Sequence, residues 1–432
     1  MLEADNKRRV VKDISCNTQE RKMMSKKVLV VGANFVNKGA QSMLFIVTDE
    51  LKKRYKDCDV YFACNGENYK EDDYCFKKLL YTKQCQDLAL GEHINHYTNI
   101  KMNIKNVLRL LLRGSDNLFR TYDAKKIAPQ LDLIIDVSGY ALADISRPVE
   151  HEYYLDNIRI AKKFDIPIIL MPQSFGPFNY SDENRYLMDE MKELLQYPVA
   201  IYAREEEGYK FLQDNFALNN LRHSSDLVLQ NRGIIRSNVC TDSYKTDVLE
   251  FVSENNVAII PNYHCFTKEF EEHSFELYKK IIGKLLEADK DVYVFRHASF
   301  DIDICKKIVE MFADEKRVHL IEREFDCIEY DELVKKFEFI ICSRYHGCVH
   351  AYKNLVPNII LGWAVKYREL AKLLEQEKHI FNILSKDCDD QAILSSVEYM
   401  LANAQEEKKQ IHDRLDAVQR DSCFRVLDEI DW

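Results

Sequence analysis

No apolar run in this 432-residue chain reaches the roughly 18 residues that a membrane span requires. The first 27 residues are polar and of mixed charge, without the apolar centre of a secretory signal. No Cys-x-x-Cys pair occurs among the 13 cysteines, which argues against a zinc or thioredoxin-type site. An odd, scattered set of this kind is expected to stay reduced in a cytoplasmic protein. Positive charge is in deficit: the net charge of −10 speaks against a sequence-independent nucleic-acid binder, and an anionic ligand would need a locally basic pocket. The glycine-rich fingerprints of nucleotide loops are missing, as are repeats and low-complexity blocks.

What remains is the composition of a soluble globular protein, 46% hydrophobic and 31% charged, long enough for two or three domains. After a polar tail (1–25), short apolar runs alternate with helical patterns. The first strand is expected at Lys27–Gly32, followed by a helix with Ala40, Leu44, Val47 and Leu51 on one face. Further strands are expected at Asp59–Cys64, Leu131–Val137, Ile166–Met171 and Val199–Ala203. A polar stretch, Asn231–Thr246, reads as a connector. A second series follows, with strands at Val257–Pro261, Asp291–Arg296, Arg317–Ile321, Phe339–Cys342 and Asn358–Leu361. The alternation predicts two Rossmann-like α/β domains facing a cleft, at 26–236 and 247–389, with C-terminal helices over 390–432.

The most informative segment is Ser343-Arg344-Tyr345-His346-Gly347-Cys348-Val349-His350-Ala351. It follows an apolar strand, and a glycine permits a sharp turn into a helix. Arg344 and His346 therefore lie together at the carboxyl end of a parallel strand, where open α/β sheets bind ligands. Arginine suits phosphate or carboxylate, and histidine exchanges a proton near neutral pH. Acid–base chemistry on an anionic substrate is the expectation. His346 and His350 are spaced for a metal on a helix, but no third ligand accompanies them in sequence, and no metal is expected.

This segment, with Pro357 and the following Lys366-Tyr367-Arg368-Glu369-Leu370, resembles the polysaccharide pyruvyl transferase family. In order along the chain, Asn34 to Ala40 resembles the family's Asn/Gly-rich opening loop, and Asp136-Val137-Ser138-Gly139 its glycine-containing segment. Met171 to Pro177 resembles its Gln-Ser-x-Gly-Pro element, Ala203-Arg204-Glu205 its Ala-Arg-Glu corner, and Ser225-Asp226-Leu227 its later aspartate. The chain departs from the family at Val137-Ser138, where glycine is more usual, and at Ala40-Gln41, where an acidic residue is common.

The resemblance implies a GT-B-like fold and transfer of an enolpyruvate-derived group from phosphoenolpyruvate to a sugar of a surface polysaccharide or its lipid-linked precursor, usually as a pyruvate ketal. Phosphoenolpyruvate would be a co-substrate, and no cofactor is expected. His346 is then the candidate acid/base, and Arg344, Arg204 and Lys366 the candidates for the donor's anionic groups. Asn37, Gly39, Gln173 and His297 are candidates for the cleft and acceptor.

Plainer alternatives stand beside these: a helix-capping His346, salt bridges to nearby acids for Arg344 and Arg204, and simple turns at Asn37–Gly39 and Gly176–Pro177. The rival functions are a GT-B nucleotide-sugar glycosyltransferase and a non-catalytic sugar-binding relative. Lys105, Arg109 and Arg113 recur at i, i+4, i+8 in an apolar stretch, which suits either a solvated surface helix or contact with the inner face of a membrane.

Overall fold

The computed structural model describes residues 25–65, 71–91, 123–246 and 252–432. The basic stretch Lys105–Arg113 and all but the last residue of the expected tail lie outside them. The chain is α/β, with two wholly parallel sheets. The first contains β1 (Lys26–Val31), β2 (Cys58–Cys64), β3 (Lys77–Leu80), β4 (Leu133–Asp136), β6 (Ile168–Phe175), β7 (Ala200–Ala203) and β8 (Leu221–His223), ordered 3-2-1-4-6-7-8. A short β5 (Tyr140–Leu142) is added to β6. The second contains β9 (Asn256–Ile260), β10 (Asp291–Phe295), β11 (Val318–Ile321), β12 (Ile340–Cys342), β13 (Asn358–Leu361) and β14 (Ile380–Phe381), ordered 11-10-9-12-13-14. Central strands such as Leu133–Asp136 and Asn256–Ile260 are buried at every position, as parallel strands covered on both faces must be.

The connector 231–246 is tied to both domains. Asn238 donates to Asp49 at 2.8 Å, the Thr241 amide donates to the Asp73 carbonyl at 3.0 Å, and the Tyr244 hydroxyl reaches Asp326 of the second sheet's domain. The C-terminal segment also touches both domains. The helix Asp390–Val418 packs on the second domain, and the turn Cys423–Asp428 returns to the first. There the Cys423 amide donates to Gln230 at 2.9 Å, and Arg222 pairs with Glu429 at 2.6 Å.

The two domains share one apolar core. Leu44 and Val47 of the helix Lys38–Arg54, Leu227 and Leu229, Cys348 and Val349 of the helix Tyr345–Lys353, and Ile411 and Phe424 belong to a single buried cluster. An apolar seam of this kind holds the domains more firmly than a polar interface would.

Candidate functional site

Parallel sheets turn every strand's carboxyl end the same way, and here the two sheets aim those ends at each other. A cavity of about 310 Å³ lies between them. Its lining follows the strand ends almost one by one. Gly32, Asn34 and Asn37 come after β1, Ser138 and Gly139 after β4, and Arg204 after β7. Asn262 and His264 come after β9, His297 after β10, Arg344 to His346 after β12, and Trp363 and Lys366 after β13. This is where a doubly wound fold places its ligand.

The corner after β12 is pinned from several sides. The Ser343 amide donates to the Ile260 carbonyl at 3.0 Å. The Ser343 carbonyl accepts from Tyr367 at 2.8 Å and from Asn262 at 3.1 Å. Arg344 is the residue just before the helix Tyr345–Lys353 and does not cap it with its side chain. Its guanidinium forms a two-point pair with the buried Asp301, one contact at 2.7 Å, and its faces lie against Phe300 and Tyr263, 4.7 and 5.4 Å from the ring centres. The salt-bridge alternative thus describes Arg344 in this state, and Asp301 is its partner.

Arg204 is buried more deeply. It donates to Asp226 at 3.0 Å, to Glu205 at 2.9 Å and twice to Ser174, at 3.0 and 2.8 Å. Its other face rests on Tyr345, 4.6 Å from the ring centre. Two carboxylates therefore neutralise it from within. Asp226 serves three groups at once: Oδ2 meets Arg204 and faces His346 Nε2 at 3.5 Å, while Oδ1 accepts from the Val228 amide at 2.8 Å. Burial would raise this carboxyl's pKa, but His346 and Arg204 hold it well below the usual range.

His346 lines the cavity, with its side chain only 12% exposed. Burial pulls its pKa below the ordinary imidazole value, while Asp226 pulls the other way. At 3.5 Å the contact with Asp226 is an ion-pair approach rather than a well-formed hydrogen bond. Gly39 fixes the other side of the ring: a Cβ there would lie 2.1 Å from His346 Cγ. Asn37 caps the helix Lys38–Arg54, accepting from the Gly39 amide at 2.9 Å, and makes an isolated β-bridge with Ala298 of the opposite domain. The 37–39 turn is therefore a seam between domains that shapes the histidine's pocket. Lys38 also crosses the seam, to Glu324 at 3.1 Å.

Lys366 differs from both arginines. It has no carboxylate partner among the described residues. Its ammonium lies 5.4 to 6.0 Å from the ring centres of Tyr345, Tyr140 and Tyr367. Burial, with Arg204 nearby, lowers its pKa to about 8. A second cavity of about 460 Å³, lined by Glu206, Glu369 and Lys372 among others, meets the first at Arg204, Tyr345 and Lys366. It is the larger of the two, but His264, His297 and His346 line only the first.

His297 lines the cavity 6.5 Å from His346, ring centre to ring centre and nearly parallel, with neither ring nitrogen hydrogen-bonded. Burial and the neighbouring His350 keep it neutral, well below the ordinary value. His350 itself does not face the cavity; it bonds Asp331 at 2.7 Å and Ser42 at 3.2 Å. Gln173 is not brought to the cavity. The strand expected to end at Met171 continues to Phe175, and its pleat buries Gln173 beneath the floor, where Gln173 accepts from Tyr154 at 3.2 Å and donates to the Met171 carbonyl at 3.2 Å. Asp301, Tyr140 and Trp363 were not singled out from the sequence, and no local pattern marks them.

Fold and cavity together define a two-domain GT-B-type α/β protein with its site at the domain junction. Solved structures of the same form include S. aureus MnaA with UDP (10% identity, 94% of each chain, TM-score 0.54) and a Listeria monocytogenes protein described as a putative UDP-N-acetylglucosamine 2-epimerase (10%, 94% of this chain and 98% of that one, 0.54). A third is the UDP-GlcNAc 2-epimerase of Methanocaldococcus jannaschii (12%, 90% and 99%, 0.51). At such identities the likeness concerns the fold alone. No curated protein matches the chain in sequence. The polysaccharide pyruvyl transferase family model matches residues 37–364, and the chain belongs to that family. Among the described residues, no helix is long and apolar enough to cross a membrane.

Proposed function

We propose that the protein transfers the pyruvyl group of phosphoenolpyruvate to a sugar of a surface polysaccharide or its lipid-linked precursor, forming a ketal. The supporting observation is the convergence of Lys366, Arg344 and Arg204 with His346 on one interdomain cavity. Lys366, which has no carboxylate partner among the described residues, receives the phosphate or carboxylate directly, and Arg344 presents its guanidinium beside it. Arg204 acts mainly through Asp226, which orients His346 and favours its charged form.

Bound donor adds negative charge next to His346 and raises its proton affinity again. The imidazolium then protonates C3 of the enol, and an oxocarbenium-like centre develops at C2. One sugar hydroxyl adds to C2 and a second displaces phosphate. Of the two hydroxyl protons released, one replaces the proton given to C3 and the other leaves on phosphate, so the imidazole ends as it began.

Calorimetry tests the donor assignment. Phosphoenolpyruvate should bind the wild-type protein and the His346→Ala variant, and bind Lys366→Ala much more weakly. Binding of a uridine diphosphate sugar with no response to phosphoenolpyruvate would instead point to a glycosyltransferase.

A further inference from the structure

Phosphoenolpyruvate is a small ester and leaves much of the cavity open. Besides the cations, the wall carries uncharged side chains: Asn34 and Tyr140 from the first domain, Asn262 and Trp363 from the second, with the Lys366 ammonium 5.6 Å from the Tyr140 ring centre.

Tyr140 opens β5 and is 40% exposed, yet its ring is held at both ends. Its amide donates to the Ser138 carbonyl at 2.8 Å and its hydroxyl to the Gly176 carbonyl at 2.9 Å. Trp363 leaves β13 half-buried, with Tyr367 and His264 behind it at ring-centre distances of 5.6 and 6.2 Å. Its indole N–H has no partner among the described residues. Asn34 uses its side-chain oxygen on the Val36 and Asn37 amides, at 3.1 and 2.9 Å, which leaves its NH₂ group without a partner there.

Fixed ring faces beside uncharged, unpartnered donors match a pyranose. Its C–H face packs on an aromatic ring, and its oxygens accept hydrogen bonds, with no charge to compensate. We propose that Tyr140 and Trp363 form the acceptor subsite and hold a neutral pyranose between the two domains, beside the donor. The inference rests on the transferase reading and assigns Tyr140 and Trp363 to the acceptor side of that site.

The protein contains only two tryptophans, Trp363 and Trp432, and Trp432 packs on Tyr55 near the C-terminus. Trp432→Phe therefore makes Trp363 the sole tryptophan reporter. This protein would be titrated with the methyl glycosides of galactose, glucose, mannose and N-acetylglucosamine, with and without phosphoenolpyruvate. The expected result is a saturable change in emission with at least one glycoside. Adding Tyr140→Ala should weaken that response about tenfold, the scale of one aromatic contact, whereas Tyr140→Phe should preserve it. Silence with every glycoside, a response indifferent to Tyr140→Ala, or a response to uridine diphosphate alone would overturn the subsite. Calorimetry with phosphoenolpyruvate keeps the two readings apart. Donor binding beside a silent Trp363 counts against the subsite only, and absent donor binding beside a responsive Trp363 counts against the donor site only.

Discussion

Two arginines sit at equivalent corners of the two sheets, and their surroundings give them different work. Arg204, after β7, has a side chain 2% exposed and spends its donors on Asp226, Glu205 and Ser174. Arg344, after β12, is 12% exposed, holds one carboxylate, and borders the cavity between aromatic faces. The same residue type at the same topological position thus fixes the machinery in one domain and displays charge in the other. The setting of His346 depends on both domains, because Asp226 comes from the first and His346 from the second.

The sharpest way to break this comparison is Arg204→Ala. It would leave Asp226 and Glu205 buried without their cation, and loss of one partner of a buried pair costs about 3–5 kcal/mol. Thermal denaturation should show a large fall in Tm with loss of all activity. If Tm holds, Arg204 is not the structural member of the two. His346→Ala should spare stability and donor binding but reduce turnover about 10²–10⁴-fold, the range of a positioned acid or base. Gly39→Ala should come next, because its Cβ would enter the His346 ring position. Overpacking costs about 1–3 kcal/mol, and kcat should fall more than donor affinity does. Arg344→Lys keeps a cation for Asp301 but loses the two-point pair that holds the charge beside the cavity, so donor binding should weaken about tenfold with Tm little changed.

The smallest effect is one of pH. Lys366, with a pKa of about 8, carries its charge below that value and loses it above. Donor affinity should therefore decline as pH rises through about 8, and Lys366→Arg should move the decline to higher pH. A flat profile in the wild-type protein would exclude Lys366 from the donor site.

The sheets were largely legible in the sequence because buried parallel strands are continuous apolar runs. The strands that escaped notice lack that signature. Lys77–Leu80 begins with two lysines at a sheet edge, Tyr140–Leu142 is a three-residue addition to β6, Leu221–His223 is a half-exposed edge, and Ile380–Phe381 has only two residues. His346, Arg344, Arg204 and Lys366 were legible because each follows a strand end within a few residues. Gln173 was misplaced because an extension of β6 sets which face of the sheet each side chain meets, and no local pattern records that. Asp301 pairs with a residue 43 positions away, and Tyr140 and Trp363 meet the same cavity from different domains. Such pairings belong to the tertiary fold rather than to any window of sequence.

The most direct test is proton NMR of the protein incubated with phosphoenolpyruvate and a panel of glycosides, with inorganic phosphate assayed in parallel. The proposed reaction predicts loss of the two vinyl protons, a new methyl singlet on a ketal carbon, and one phosphate released per ketal, all slowed about 10²–10⁴-fold by His346→Ala. Intact phosphoenolpyruvate alongside consumption of a uridine diphosphate sugar would contradict it.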